Sequence, residues 1–323
     1  MYEKNFITQA VNRSATTQVD RRRLFTMLGV AGAGAAVATA TTGGAANAAV
    51  TLGPATDGAV LNFALNLEYL EAEFYLRAVT GRGLDDKDVT GTGTPGKVAG
   101  GKEVPWKSKR LMMHAREIAR DEREHVRFLR GALGTAAVSR PAIDFTAAFT
   151  AAAKAAGVIT KGTFNPFASE TNFLLGAFLF EDVGVTAYKG AAGLISNKGY
   201  LEAAAGILAV EAYHAGAIRA ILSDKGSDSL NRTVKKLSDA RDSLDGTSDD
   251  DQGISESSYG DKKPANQSNL VPTDRNGIVY SRTPAQVLNI VYLNPAKDVT
   301  KGGFFPAGVN GAVNSTSFDS SVA

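Results

Sequence analysis

Two short copies of one phrase carry the chemistry of this chain: Glu122-Arg-Glu-His125 and Glu211-Ala-Tyr-His214. The protein has only three histidines, and two of them follow a glutamate by three residues. Both copies sit in long runs of helix-forming residues. On an α-helix, positions i and i+3 share a face about one turn apart, so a carboxylate and an imidazole so placed converge on one metal ion. A second repetition accompanies the first. Glu68 and Tyr75 stand seven apart in one apolar stretch, and Glu181 and Tyr188 stand seven apart in another. The order along the chain is therefore Glu, Glu-x-x-His, Glu, Glu-x-x-His. Four carboxylates and two imidazoles, projected inward from four helices, suit two divalent ions whose charge the carboxylates offset. In that arrangement Glu122 and Glu211 bridge the ions, Glu68 and Glu181 each cap one, and His125 and His214 each supply one nitrogen.

The elements that must position these groups are readable from periodicity. A first helix is expected from Asp57, as N-cap, to Val79. Its Leu61, Ala64, Leu65, Glu68, Ala72 and Tyr75 recur at three- and four-residue steps. A carboxylate inside such an apolar stripe costs several kcal/mol to desolvate, and a bound cation would compensate it. Glu71, one turn on, is the competing ligand for Glu68; Glu71 and Glu73 otherwise read as surface charges. Tyr75 and Tyr188 read either as core aromatics or as hydrogen-bonding partners of the site. The second helix is expected from Trp106 to Leu133, ending at Gly134, the third from Ser169 to Ile195, and the fourth from Tyr200 to Leu222. The short break between the last two makes them antiparallel neighbours. His114 lies eleven residues before His125, about 16 Å away along the axis, and reads as structural.

Between these helices, residues 80–104 read as a loop. Their Gly91-Thr-Gly-Thr-Pro-Gly96 matches G-x-G-x-x-G, but no strand precedes it, no helix follows and Pro95 interrupts it, so no dinucleotide site is expected. Residues 141–156 form an Ala-rich helical segment whose Phe145 and Phe149 should pack on the bundle. Beyond Ser223 a modest helix is expected near Leu230–Leu244. An Asp/Ser/Gly/Asn-rich stretch follows, whose Asp249-Asp-Asp251 run lacks calcium-loop spacing and reads as a solvated loop. Thr283-Pro-Ala-Gln286 is a capping box opening a short helix. The last thirty residues, with Gly302-Gly-Phe-Phe-Pro306, show little periodicity.

Residues 1–48 read as an export signal. Arg22-Arg23-Leu24-Phe25 resembles the twin-arginine pattern, a Gly/Ala-rich stretch follows, and Ala46-Asn-Ala48 offers small residues for cleavage after position 48. An uncleaved anchor is the alternative, although the stretch is short for a span of about 20 residues. The expected division is thus a signal over 1–48, a bundle over 49–223 and a C-terminal extension over 224–323, in a periplasmic or extracellular protein with no stable membrane span after cleavage. Zero cysteines exclude disulfides, Fe–S clusters and thiol catalysis. A net charge of only +2 gives no sign of a nucleic-acid partner. With no thiolate available, His and carboxylate ligands suit iron, manganese or zinc.

Taken together, Glu68…Tyr75, Glu122-x-x-His125, Glu181 and Glu211-x-x-His214 resemble the ferritin-like superfamily, which includes bacterioferritin and rubrerythrin. More narrowly, Leu67-Glu-Tyr-Leu-Glu-Ala72, Asp121-Glu-Arg-Glu-His-Val126 and Arg282-Thr-Pro-Ala-Gln-Val-Leu288 are similar to exported ferritin-like proteins related to the plant desiccation-related protein. The resemblance implies an all-α four-helix bundle with extra short helices and a long, mostly irregular C-terminal region. It implies two metal ions, iron first and manganese as the other choice, but no particular reaction; a small oxidant is the expected partner, and a homo-oligomer stays open. Redox chemistry with oxygen, peroxide or Fe(II) in stress protection is the expected function; a non-enzymatic desiccation-related structural role is the alternative. The long tail and the insertion between the first two helices depart from storage ferritins and argue against cage assembly.

Overall fold

The computed structural model describes residues 56–255 and 268–318. The expected signal segment, 1–48, lies outside the described residues. Four long helices frame the site: α1 (Asp57–Thr80), α2 (Lys109–Leu133), α4 (Glu170–Ala192) and α5 (Lys198–Asp224). A short α3 (Ala147–Ala155) precedes α4, and α6 (Asp228–Asp245) and α7 (Pro284–Val291) follow α5. Helix α1 packs along α2, α4 packs along α5, and α1 meets α4 between the two pairs.

Each bundle helix starts where a polar side chain satisfies otherwise orphaned backbone N–H groups. Thr56 caps α1 by accepting from the Ala59 N–H at 3.2 Å. Asp57, expected as that cap, instead accepts the backbone N–H groups of Ser196 at 2.8 Å and Asn197 at 2.9 Å. It thereby ties the turn between α4 and α5 to the start of α1. Helix α2 begins at Lys109 rather than near Trp106, because the Trp106 indole donates to the Ala78 carbonyl at 3.2 Å and Ser108 is the cap. Ser169 and Asn197 cap α4 and α5.

The segment expected to be helical over 141–156 is helical only from Ala147. Just before it, β2 (Ile143–Asp144) pairs in parallel with β1 (Val98–Ala99), a two-residue ladder inside the stretch read as loop. The Asp144 carboxylate accepts the N–H groups of Thr146 (2.6 Å) and Ala147 (2.8 Å), which starts the helix there. Phe145 and Phe149 pack on the bundle as expected. They join an aromatic cluster around Phe74, whose ring stacks on Phe173 with centroids 5.5 Å apart.

The C-terminal region closes this core. Phe304 lies 4.9 Å, centroid to centroid, from both Phe149 and Phe180, so the Gly-Gly-Phe-Phe-Pro stretch is a lid on the aromatic cluster. Thr283 and Gln286 form the expected capping box of α7. The solvated reading of Asp249–Asp251 is corrected at its last residue: Asp251 is buried and paired with both Arg241 and Arg282. Arg219 and Arg241 also share Asp182 of α4, at 2.7 and 2.9 Å, and Arg282 meets Asp245 at 2.6 Å. Three buried guanidiniums therefore face three buried carboxylates, the pairing that burial of charge requires. Gly190 lets the extension come close, since a Cβ there would collide with the Arg282 carbonyl.

Candidate metal centre

One turn of each long helix contributes to a single buried cluster. Glu68 from α1, Glu122 and His125 from α2, Glu181 from α4, and Glu211 and His214 from α5 all point inward, and all six are buried. Their donor atoms fall into two groups, Glu68–Glu122–His125–Glu211 and Glu122–Glu181–His214. Within each group, one atom per residue lies within 4.8 Å of the others, close enough to hold one ion. Glu122 belongs to both. Its Oε2 is 3.5 Å from His125 Nδ1 and its Oε1 is 3.0 Å from His214 Nδ1, so its two oxygens face opposite halves of the site. His125 Nδ1 is 3.2 Å from Glu68 Oε2, and His214 Nδ1 is 3.6 Å from Glu181 Oε2. Glu211 approaches the His125 half, with Oε1 3.8 Å from Nδ1.

The two halves repeat each other. Tyr75, seven residues after Glu68 on α1, donates its hydroxyl to Glu181 of α4. Tyr188, seven residues after Glu181, donates to Glu68. Each outer carboxylate is thus held by a tyrosine from the helix opposite. Both hydroxyls are buried, and burial with the neighbouring carboxylates pushes them well above their usual pKa. The repetition is not complete. Asp121, which precedes Glu122, lies 3.5 Å from His214 Nε2. Val210 precedes Glu211 and offers His125 no such partner. An outer carboxylate beside the free ring nitrogen fixes the orientation of a metal-ligating histidine.

Charge in the cluster is arranged as a cation requires. Burial pushes the Glu68 carboxyl up to about 7 and Glu181 up to about 8, against the attraction of His125 and His214. Burial and the other carboxylates raise Glu211 well above the carboxylate range. Burial would also raise Glu122, but contact with both imidazoles outweighs it and holds this carboxyl below the usual range. The histidines are disfavoured as cations by burial, yet the surrounding carboxylates lift His125 to about 11 and His214 to about 9. Eight buried polar atoms of the six residues have no hydrogen-bond partner, including both oxygens of Glu122 and of Glu211 and both Nδ1 atoms. Buried polar atoms are normally satisfied. An orphaned set of carboxylate oxygens and imidazole nitrogens, all converging, fits divalent metal.

All six expected residues meet in this cluster, and His114 belongs to neither group. Two residues expected as surface charges do not lie at the surface. Glu73 is fully buried, pairing with Arg77 at 2.8 Å and with Arg140. Glu71 is buried beside the cluster, and burial with the charges of Glu122 and Glu181 raises it well above the carboxylate range. The physical reason is that α1 is covered on nearly every side, which a one-faced stripe of apolar residues does not reveal. Gly184 completes the site. A Cβ at this position would overlap Glu211 Oε2, so the bare backbone of α4 makes room for that carboxylate.

A mostly helical fold with a buried carboxylate–histidine cluster at its centre defines a ferritin-like protein. The ferritin-like domain family matches residues 56–224, and the chain belongs to that family. It is similar to a desiccation-related protein of Craterostigma plantagineum, 29% identical over 249 residues that cover 73% of this chain and 77% of the relative. It is also similar to a ferritin-like catalase of Nesocodon mauritianus, 25% identical over 269 residues covering 79% and 83%. No solved structure matches the chain significantly.

Proposed function

We propose that the chain binds two ions of iron or manganese through Glu68, Glu122, His125, Glu181, Glu211 and His214, and uses them in redox chemistry with dioxygen, peroxide or Fe(II) during stress. One observation carries the reading: the eight orphaned atoms form two donor groups that share Glu122. When bound, such an ion pair supplies electron transfer to or from an oxygen substrate that side chains alone do not provide. The protein's own contribution is position and exclusion of water. Glu122 spans both sites, Tyr75 and Tyr188 hold the outer carboxylates, and Asp121 orients His214. The likeness to a protein named as a catalase favours peroxide among the oxidants.

Elemental analysis of the purified chain tests this reading. About two iron or manganese ions per chain are expected, with turnover of peroxide or Fe(II). No metal, and none taken up anaerobically from Fe(II) or Mn(II), would sink it. A second reading has its own support: the C-terminal extension is locked to the bundle by buried arginines, through Arg241 on Asp182, Arg282 on Thr186 and Arg219 on the Asn269 carbonyl, and one relative is named for desiccation. In that case the chain is a stress protein that keeps the bundle without turnover. Export by the twin-arginine route belongs to the same proposal. Arg22→Lys with Arg23→Lys should retain the chain in the cytoplasm, as fractionation would reveal.

A further inference from the structure

The cluster has two unlike sides. On the α2/α5 side lie the histidines, whose side chains keep 11% and 8% exposure, and Asp121 at 28%. This side is polar and carries charge to the solvent edge. On the α1/α4 side lies a small space of about 20 Å³. Leu70, Phe180 and Val183 of the bundle form its inner walls, and Ile290, Val291 and Phe304 of the C-terminal region close it from outside. Glu71 and Gly184 also line it, and Glu71 is its one ionisable group. Because Gly184 carries no side chain, the Glu211 carboxylate abuts α4 at the same position.

Size and polarity select what such a space admits. One water-sized probe needs about 10–15 Å³, so the space takes a molecule of one or two heavy atoms. Its apolar walls make it costly for an ion, which would shed its hydration without replacement. We infer that a neutral molecule of two oxygen atoms, dioxygen or hydrogen peroxide, reaches the centre through this space and meets Glu71 first, while metal ions enter from the α2/α5 side. The inference rests on the dimetal reading and gives the C-terminal region a role, because its residues build the outer wall that sets the size of what enters. Glu71 fits its place because no described residue hydrogen-bonds to it, which leaves its carboxyl free to donate to or accept from the arriving molecule.

Nitric oxide, a neutral probe of the same size, tests the route on the full-length chain loaded anaerobically with Fe(II). Val183→Phe fills the space from α4, and Ile290→Ala widens it from the extension; neither residue is a ligand. Val183→Phe should slow nitric oxide association about tenfold, the equivalent of about 1.4 kcal/mol on the barrier, and Ile290→Ala should speed it. Both should still bind the wild-type number of ions, with unchanged rates of metal removal by a chelator. Opposite changes from opposite walls cannot come from a shared folding defect. Repeating the mixing with dioxygen and with hydrogen peroxide shows which of the two the space serves. Loaded variants whose association rates both equal the wild type would overturn the route while leaving the dimetal reading intact. A wild-type chain that takes up no ion would overturn the dimetal reading and the route with it.

Discussion

Filling the centre with divalent metal should expel at least about three protons per chain at pH 7, because every ligand must present a lone pair. The number follows from the ion-free cluster. His125 and His214, lifted to about 11 and about 9, each hold a proton at that pH. Glu181, pushed up to about 8, is mostly protonated too, and burial with the other carboxylates shifts Glu211 in the same direction. Glu68 at about 7 is half protonated, and Glu122 is ionised. Two divalent ions thus replace much of their charge in protons, so the buried cluster changes charge far less than the ions alone would impose. With more than one proton displaced per ion, affinity should rise by more than about tenfold per pH unit near neutrality. The direction is fixed: as pH climbs through the raised values, fewer protons compete and metal binds more tightly. Calorimetric titration with Mn(II) in buffers of different ionisation enthalpy counts the protons, and chelator competition at several pH values gives the slope. Release of fewer than about two protons, or an affinity flat with pH, would refute the assignment of both histidines as ligands.

The same shifts make the ion-free chain pH-sensitive. Histidines and carboxyls whose folded pKa lies above the unfolded value contribute stability below the unfolded pKa and lose it as pH rises through the folded one. The ion-free protein should therefore melt lower at pH 9 than at pH 6, and metal should narrow that gap in thermal scans. Glu122→Gln should reduce binding at both positions, whereas Glu181→Gln should leave one ion bound, because only Glu122 lies in both donor groups; metal analysis after gel filtration decides. Arg282→Met strands Asp245 in the interior, leaves Asp251 with Arg241 alone, and should cost about 3–5 kcal/mol in chemical denaturation. A loss below about 1 kcal/mol would mean that the extension is not anchored there.

Much of this site is legible in the sequence, because helical geometry is local. The spacing of Glu122 and His125, or of Glu211 and His214, fixes a shared face whatever the rest of the chain does. The apolar periodicity around Glu68 and Glu181 places both on inward faces, and Ser169 marks the start of α4 to the residue. The differences fall where a residue's fate depends on distant chain. Asp251 looks solvated until Arg241 and Arg282 are brought to it, and Glu71 and Glu73 look exposed until other elements cover α1. Asp57 has the composition of a cap, but its partners Ser196 and Asn197 lie at the far end of α4.

The sequence by itself determined the ligand types, their order and their helical phase, since those depend on side-chain chemistry and on a repeat of 3.6 residues per turn. Only the tertiary structure decided that Glu122 faces both histidines, that Tyr75 and Tyr188 cross between helices to hold each other's glutamates, and that Gly184 leaves space for Glu211. It also decided that the C-terminal region walls one side of the centre. These are relations between elements far apart in the chain, and they are set by packing and by the pairing of buried charge, neither of which any local spacing encodes.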